Sequence, residues 1–271
     1  VSPPKCKIEP MIAQKALADS SPDYRVPLGV WLKLAGSLLT GKPRSVLADS
    51  LAAFADGRPQ VRFLGLGNLP AEKPCVVVCN HNSLSGFKAI WIALGISAAL
   101  AGRRASGVQE DINWVMTAAW TYPDEPLKAR LLTPLTRWTF ARLARSYGFV
   151  NMPPMPPAPH EVQARAAAVL KVVRLARQRR EQGVLIGLAP EGRDNGPEMG
   201  EFPEGVGEFI GMLVKAGLAV LPVGVFEDGN TLVVSIGETF VPEVPADRPG
   251  RDAVVSAQVM AAIRSQLPGV D

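Results

Sequence analysis

Cys75-Val76-Val77-Val78-Cys79-Asn80-His81-Asn82-Ser83 is an unbroken run of small apolar residues that passes without transition into polar ones. Consecutive rather than alternating apolar positions fit a strand covered on both faces, the usual state of a strand in a parallel sheet. The abrupt polar end places Asn80 and His81 at the strand's carboxyl end, where open α/β sheets bind their ligands. Val184-Leu185-Ile186-Gly187-Leu188 repeats the pattern and opens into Ala189-Pro190-Glu191-Gly192-Arg193-Asp194-Asn195-Gly196.

Working outward from these two runs, strands and helices alternate. Val61 to Leu64 reads as a strand, followed by a turn-rich connection from Gly65 to Lys73. A helix is expected from about Ser85 to Leu100, a strand from Ile112 to Ala118, and a helix from Leu127 to Tyr147 interrupted near Pro134. A short strand from Phe149 to Met152 leads into the proline-rich Pro153 to Pro159. A long helix then runs from about His160 to Gln182, stopped by Gly183. A helix from Val206 to Ala216, a strand from Ala219 to Val225, a last strand from Thr231 to Ile236 and a closing helix from Asp252 to Leu267 complete the pattern. Such alternation implies an α/β fold of three layers, a mostly parallel sheet with helices on both faces.

The domain is expected over residues 45–271, preceded by an extension over 1–44. The extension is punctuated by Pro and Ser, with one short helix from Ile12 to Ala18. An amphipathic helical arm follows, with Leu28, Trp31, Leu32, Ala35, Leu38 and Leu39 on one side and Lys33, Lys42 and Arg44 flanking them. That stripe either packs on the domain or lies in a membrane interface with Trp31 at headgroup level.

Composition narrows the classes. With 271 residues, 47% hydrophobic and 20% charged, the chain has material for a sizeable core. Its apolar runs are too short for a membrane-spanning helix. The opening Val1-Ser2-Pro3-Pro4-Lys5 has neither a methionine nor a signal peptide's apolar stretch, which suits a processed or trimmed end. Of the three cysteines, Cys75 and Cys79 lie four apart on one strand face, roughly 13 Å, too far to bridge. A reducing, cytoplasmic setting fits, and no metal site is expected, because neither histidine lies near a cysteine pair at ligand spacing.

The net charge of +4 is concentrated between Glu161 and Gln182, which holds Arg165, Lys171, Arg174, Arg177, Arg179 and Arg180 against Glu161 and Glu181. These cations either form a solvated helix face near a helix C-terminus, where the dipole favours them, or contact anionic lipid or an acidic carrier protein. No aromatics interleave with them, which argues against nucleic-acid binding.

His81, an imidazole at a strand end, is placed to act as a general base or simply to cap the next helix. Around Gly192 the backbone can approach a ligand closely, and Arg193 can grip a phosphate; the same stretch also reads as an ordinary turn. Gly65-x-Gly67 has no third glycine and opens no helix, so it is no dinucleotide fingerprint. Ser85 lacks the Gly-x-Ser-x-Gly setting of a hydrolase nucleophile.

From Val61 to Pro268 the chain resembles the glycerol-3-phosphate and 1-acylglycerol-3-phosphate (lysophospholipid) acyltransferases. Val76 to Ser83 resembles the strand and opening of their motif Asn-His-x-Ser-x-x-Asp. Gly65-Leu66-Gly67-Asn68-Leu69-Pro70 is similar to the lead-in before it. Leu188 to Arg193 is similar to their Pro-Glu-Gly block, Phe202 and Gly205 to a Phe-x-x-Gly step, and Val220-Leu221-Pro222-Val223-Gly224 to a final strand motif. The resemblance implies that His81 deprotonates a hydroxyl of glycerol 3-phosphate or a lysophospholipid, and that the alkoxide attacks acyl-CoA or an acyl-carrier protein thioester. It implies an acceptor site drawn from Asn80, Ser83, Pro190, Glu191, Gly192 and Arg193. No cofactor beyond that co-substrate is implied. The setting would be peripheral, on the inner face of a membrane contacted by Trp31, Leu32 and Lys33.

The departures are specific. The family's aspartate, five residues after the histidine, is Gly86 here, and no carboxylate lies between His81 and Glu110. The basic anchor expected after Phe149-Val150-Asn151-Met152 is absent, Pro203 stands where a lysine is usual, and Arg193-Asp194 stands where Thr-Arg is common. Loss of an orienting aspartate lowers turnover by ~10⁴ in a serine-protease triad. Two readings follow: an acyltransferase with a weakened dyad, or a silent relative that binds lipid or serves as an accessory subunit of a larger membrane complex.

Overall fold

The computed structural model describes residues 22–81, 89–122, 124–154, 158–192 and 199–269. The expected helix from Ile12 to Ala18 lies outside the described residues, as do Ser83, Gly86 and Arg193.

The strands are β1 (Gln60–Leu64), β2 (Cys75–Cys79), β3 (Ile112–Thr117), β4 (Val150–Met152), β5 (Leu185–Leu188), β6 (Ala219–Asp228) and β7 (Thr231–Ile236). They form one sheet in the order β1-β7-β6-β2-β5-β3-β4. Neighbours are parallel except β6 and β7, a hairpin turned at Gly229, so β1 and β7 run against the other five. Every residue of β2 is buried, as its unbroken apolar run requires.

The helices are α1 (Leu28–Thr40), α2 (Val46–Phe54), α3 (Ala89–Ala99), α4 (Pro126–Tyr147), α5 (Val162–Gln178), α6 (Val206–Lys215) and α7 (Arg248–Arg264). Trp91, Ile92 and Ile96 of α3 pack over Cys75, Val77 and Cys79, with α2 against α3. Val172 of α5, Ile210 of α6 and Val259 of α7 cover Val76 and Val78 on the other face. This is the expected three-layer α/β arrangement. On β5 the packing leaves no room for a side chain at Gly187, where a Cβ would stand 2.4 Å from the Trp114 ring.

Several boundaries differ from expectation. α4 is continuous through Pro134, whose ring faces the exposed side of the helix, so the missing hydrogen bond falls where water can replace it. The expected helix from His160 to Gln182 is divided: a 3₁₀ turn at Pro159–Glu161, α5, and a second 3₁₀ turn at Arg180–Gln182 that ends on Gly183 in the left-handed conformation. β6 extends beyond Val225 to Asp228 because β7 pairs with it that far. α7 starts earlier than Asp252, since Asp247 caps it by accepting the Gly250 N–H. α2, unforeseen, is capped by Ser45, whose hydroxyl accepts the Ala48 N–H.

The arm is not separate from the domain at its start. Tyr24 lies tilted against Trp91 of α3, ring centroids 5.3 Å apart, and donates to Glu227 of β6 at 2.8 Å. α1 leans on α4, but Leu28, Trp31, Leu32 and Leu39 point to solvent rather than into the core. No described helix is long and apolar enough to cross a membrane.

Candidate active site

β2 and β5 lie side by side, with Val78 level with Leu188. Three residues further along each parallel chain, His81 therefore comes level with Glu191. The chain leaves β2 toward α3 on one face and leaves β5 toward α6 on the other. Neighbouring strands that diverge in this way open a crevice at their carboxyl ends. His81 and the Pro190-Glu191-Gly192 turn sit at that divergence.

The geometry holds His81 by its backbone. Its N–H donates to Oε1 of Glu191 at 2.6 Å, while Oε2 of Glu191 accepts the Gly200 N–H at 2.7 Å. Glu191 is 0% exposed. One buried carboxylate thus ties the end of β2, the end of β5 and the returning loop at Gly200. Asn80, also fully buried, pairs its side-chain amide with the backbone of Val225, donating to the carbonyl and accepting the N–H, both at 2.8 Å. This double bond extends the β2–β6 ladder past Cys79. Buried Pro190 lies in a turn closed by the Gly192 N–H to the Ala189 carbonyl at 3.0 Å, with Gly192 at φ 67°. A left-handed residue there favours glycine.

The His81 side chain is half-buried, and its Nδ1 is buried without a hydrogen-bond partner among the described residues. This is the atom that an orienting carboxylate would engage, and the sequence supplies none at Gly86. Beside it the Cys79 thiol is raised well above its ordinary value, first by burial and then by the Glu191 charge. That thiol is no nucleophile at neutral pH.

The N-terminus of α6 is a potential anion site at this same edge, but a carboxylate of the chain already fills it. Asp252 accepts the Gly205 N–H at 2.8 Å and the Glu208 N–H at 3.0 Å. Gly205, the last residue of the Phe-x-x-Gly step, is the left-handed residue that starts α6, and Phe202 packs half-buried against the core. Two depressions of about 500 and 510 Å³, one around Asn68 and Lys73 and one around Asp111 and Arg179, lie at the opposite, amino edge of the parallel strands.

Sequence reasoning therefore identified the residues that the fold brings together, His81 with Glu191 and Gly192, but not that Asn80 and Glu191 turn their polar atoms to backbone. No local signal reveals it, since their partners are 145 and 110 residues away. The membrane-contact candidates Trp31, Leu32 and Lys33 lie on α1 and are exposed. Among the described residues, no group of three or more potential ligands could hold a metal ion.

The family model described as Acyltransferase matches residues 60–226, from the start of β1 into β6, with both site segments inside the match. No curated protein matches the chain. Among solved structures, the chain is similar to the crystal structure of the 1-acyl-sn-glycerophosphate (LPA) acyltransferase PlsC from Thermotoga maritima. Identity is 16%, over 83% of this chain and 80% of that one, with a TM-score of 0.48. The family match spans more than half of the chain, and with it the chain belongs to the acyltransferase family.

Proposed function

We propose that this protein transfers a fatty acyl group from acyl-CoA or an acyl-carrier protein to a hydroxyl of glycerol 3-phosphate or a lysophospholipid, with His81 as general base. The observation that carries this reading is the placement of His81 at the divergence of β2 and β5, fixed through Glu191. Imidazole with its proton on Nδ1 takes the acceptor's hydroxyl proton at Nε2. The alkoxide adds to the thioester carbonyl, the tetrahedral adduct expels the thiolate, and the imidazolium returns the proton to sulfur. Glu191 and Asn80 serve this chemistry as positioning residues, while Ser83, Gly192 and Arg193 meet the acceptor. Without a carboxylate at position 86 the imidazolium is less stabilised, and turnover falls by about 10⁴ relative to a complete dyad. The protein works at the inner face of a membrane, with Trp31, Leu32 and Lys33 of α1 in contact with lipid.

A second reading has its own support in the unpartnered Nδ1 of His81: a silent relative that retains the crevice and binds lipid as an accessory subunit. The test is product formation by mass spectrometry, with both acceptors and both donors, over hours rather than seconds. Esterified product that forms slowly and is abolished by His81→Ala supports the enzyme. Absence of product with lysolipid still bound supports the silent relative.

A further inference from the structure

We propose that α4 is a second membrane-contact element, which docks flat on an anionic lipid surface beside α1. This rests on the membrane side of the proposed function and not on its chemistry.

α4 is 22 residues long and contains Lys128, Arg130, Arg137, Arg142 and Arg145 but no Asp or Glu. Leu127, Leu131, Leu135 and Trp138 are 71%, 61%, 55% and 46% exposed. Spaced four, four and three apart, they occupy roughly 80° of the helix circumference at ~3.6 residues per turn. Arg142 lies over the Trp138 ring at 5.5 Å, and exposed Trp120, just before α4, meets Phe140 edge-on at 5.2 Å. α1, which rests on α4, adds exposed Leu28, Trp31, Leu32 and Leu39 and carries no acidic residue. The two helices thus present apolar stripes bordered by cations.

A helix with an apolar stripe, tryptophan at its margin and cations on its flanks is built to lie in the interfacial plane of a bilayer. The charges select the occupant. Among the described residues Arg130 and Arg145 have no carboxylate partner, so they are available to anionic headgroups. A second copy would set cations against cations, which disfavours self-association through this face. α4 follows the carboxyl end of β3, so the stripe begins at the edge of the sheet where His81 lies. Docking by α4 would turn that edge toward the lipid that supplies the acceptor.

The test uses flotation of the full chain with vesicles of phosphatidylcholine alone and of phosphatidylcholine mixed with phosphatidylglycerol. The parent should partition onto the anionic vesicles at least about tenfold more strongly than onto neutral ones. The combined variant Leu127→Gln, Leu131→Gln, Leu135→Gln and Trp138→Gln should lose at least about tenfold with an unchanged melting temperature. If that variant folds poorly, Arg130→Glu with Arg145→Glu, both exposed, should still lose the preference for anionic lipid. Leu28→Gln with Trp31→Gln and Leu32→Gln separates the α1 contribution. Loss through the α1 variant alone would overturn the role of α4 while leaving the membrane reading intact. Equal binding to neutral and anionic vesicles would overturn the charge assignment. A parent dimer that the α4 variant converts to monomer, with no vesicle binding, would assign the stripe to a second copy instead.

Discussion

The backbone N–H of His81 and the Oε1 of Glu191 meet at 2.6 Å across the ends of β2 and β5, joining residues 110 apart in the chain. The contact makes a carboxylate of the acyltransferase block a mechanical support for the histidine of the other motif. Glu191→Gln replaces one acceptor with an N–H₂ group that faces a backbone donor. We expect a loss of about 1–3 kcal/mol in unfolding free energy together with lowered activity. Chemical denaturation measures it; full stability with lost activity would instead place Glu191 against the substrate.

Asn80→Asp addresses the second support. The aspartate would turn an acceptor oxygen toward the Val225 carbonyl, where the amide N–H₂ now donates. Loss of one bond and creation of a repulsive contact should cost about 1–3 kcal/mol. Asn80→Ala should cost a similar amount by leaving both Val225 groups unpaired. An unchanged urea midpoint in either variant would rule out the clamp.

Gly187→Ala tests the packing that brings β3 and β5 together. The added methyl would meet Trp114 and Ile112, both buried, at 2.4 and 2.7 Å. Overpacking of this kind costs about 1–3 kcal/mol, read as a lower thermal midpoint. Trp114→Leu in the same chain should recover part of that loss.

The buried thiols give a pH dependence with a defined sign. Burial pushes the Cys75 thiol from its ordinary 9.0 up to about 11, partly opposed by the charges of Arg104 and Lys73. Below pH 9 folded and unfolded chains both keep the proton, so this contribution is flat. Between pH 9 and about 11 the unfolded chain loses it first, and stability falls with rising pH by at most about 1.4 kcal/mol per unit from this group. Urea midpoints at pH 8 and pH 10.5 should show the fall, and Cys75→Ala should make it shallower. Cys79, Tyr24 and Tyr147 are raised as well and act in the same direction.

What could be read in the sequence was whatever depended on local pattern. The five apolar residues of β2 announced a strand buried on both faces, and the two polar strand ends announced the site. The reversed direction of β1 and β7 was not legible, because strand direction is set by which edge a distant strand joins. The sequence pattern predicts an interruption of α4 near Pro134, since proline usually ends a helix. With the break removed, Leu127, Leu131, Leu135 and Trp138 fall on one stripe that the sequence had carried throughout. The Asp247 cap of α7 was also within reach, as an acidic residue just before Arg248-Pro249 is an ordinary helix start. The roles of Asn80 and Glu191 lay beyond it, because a side chain's choice between ligand and distant backbone leaves no mark on its neighbours.

The most direct measurement compares acyl transfer to lysophosphatidic acid by Gly86→Asp with transfer by the doubly substituted Gly86→Asp, His81→Ala chain. If His81 is a base held in place but lacking its orienting carboxylate, Gly86→Asp should exceed the parent in turnover, by up to about 10⁴, and the added His81→Ala should abolish the gain. A Gly86→Asp chain no faster than the parent, or a gain that survives His81→Ala, would contradict that role for His81.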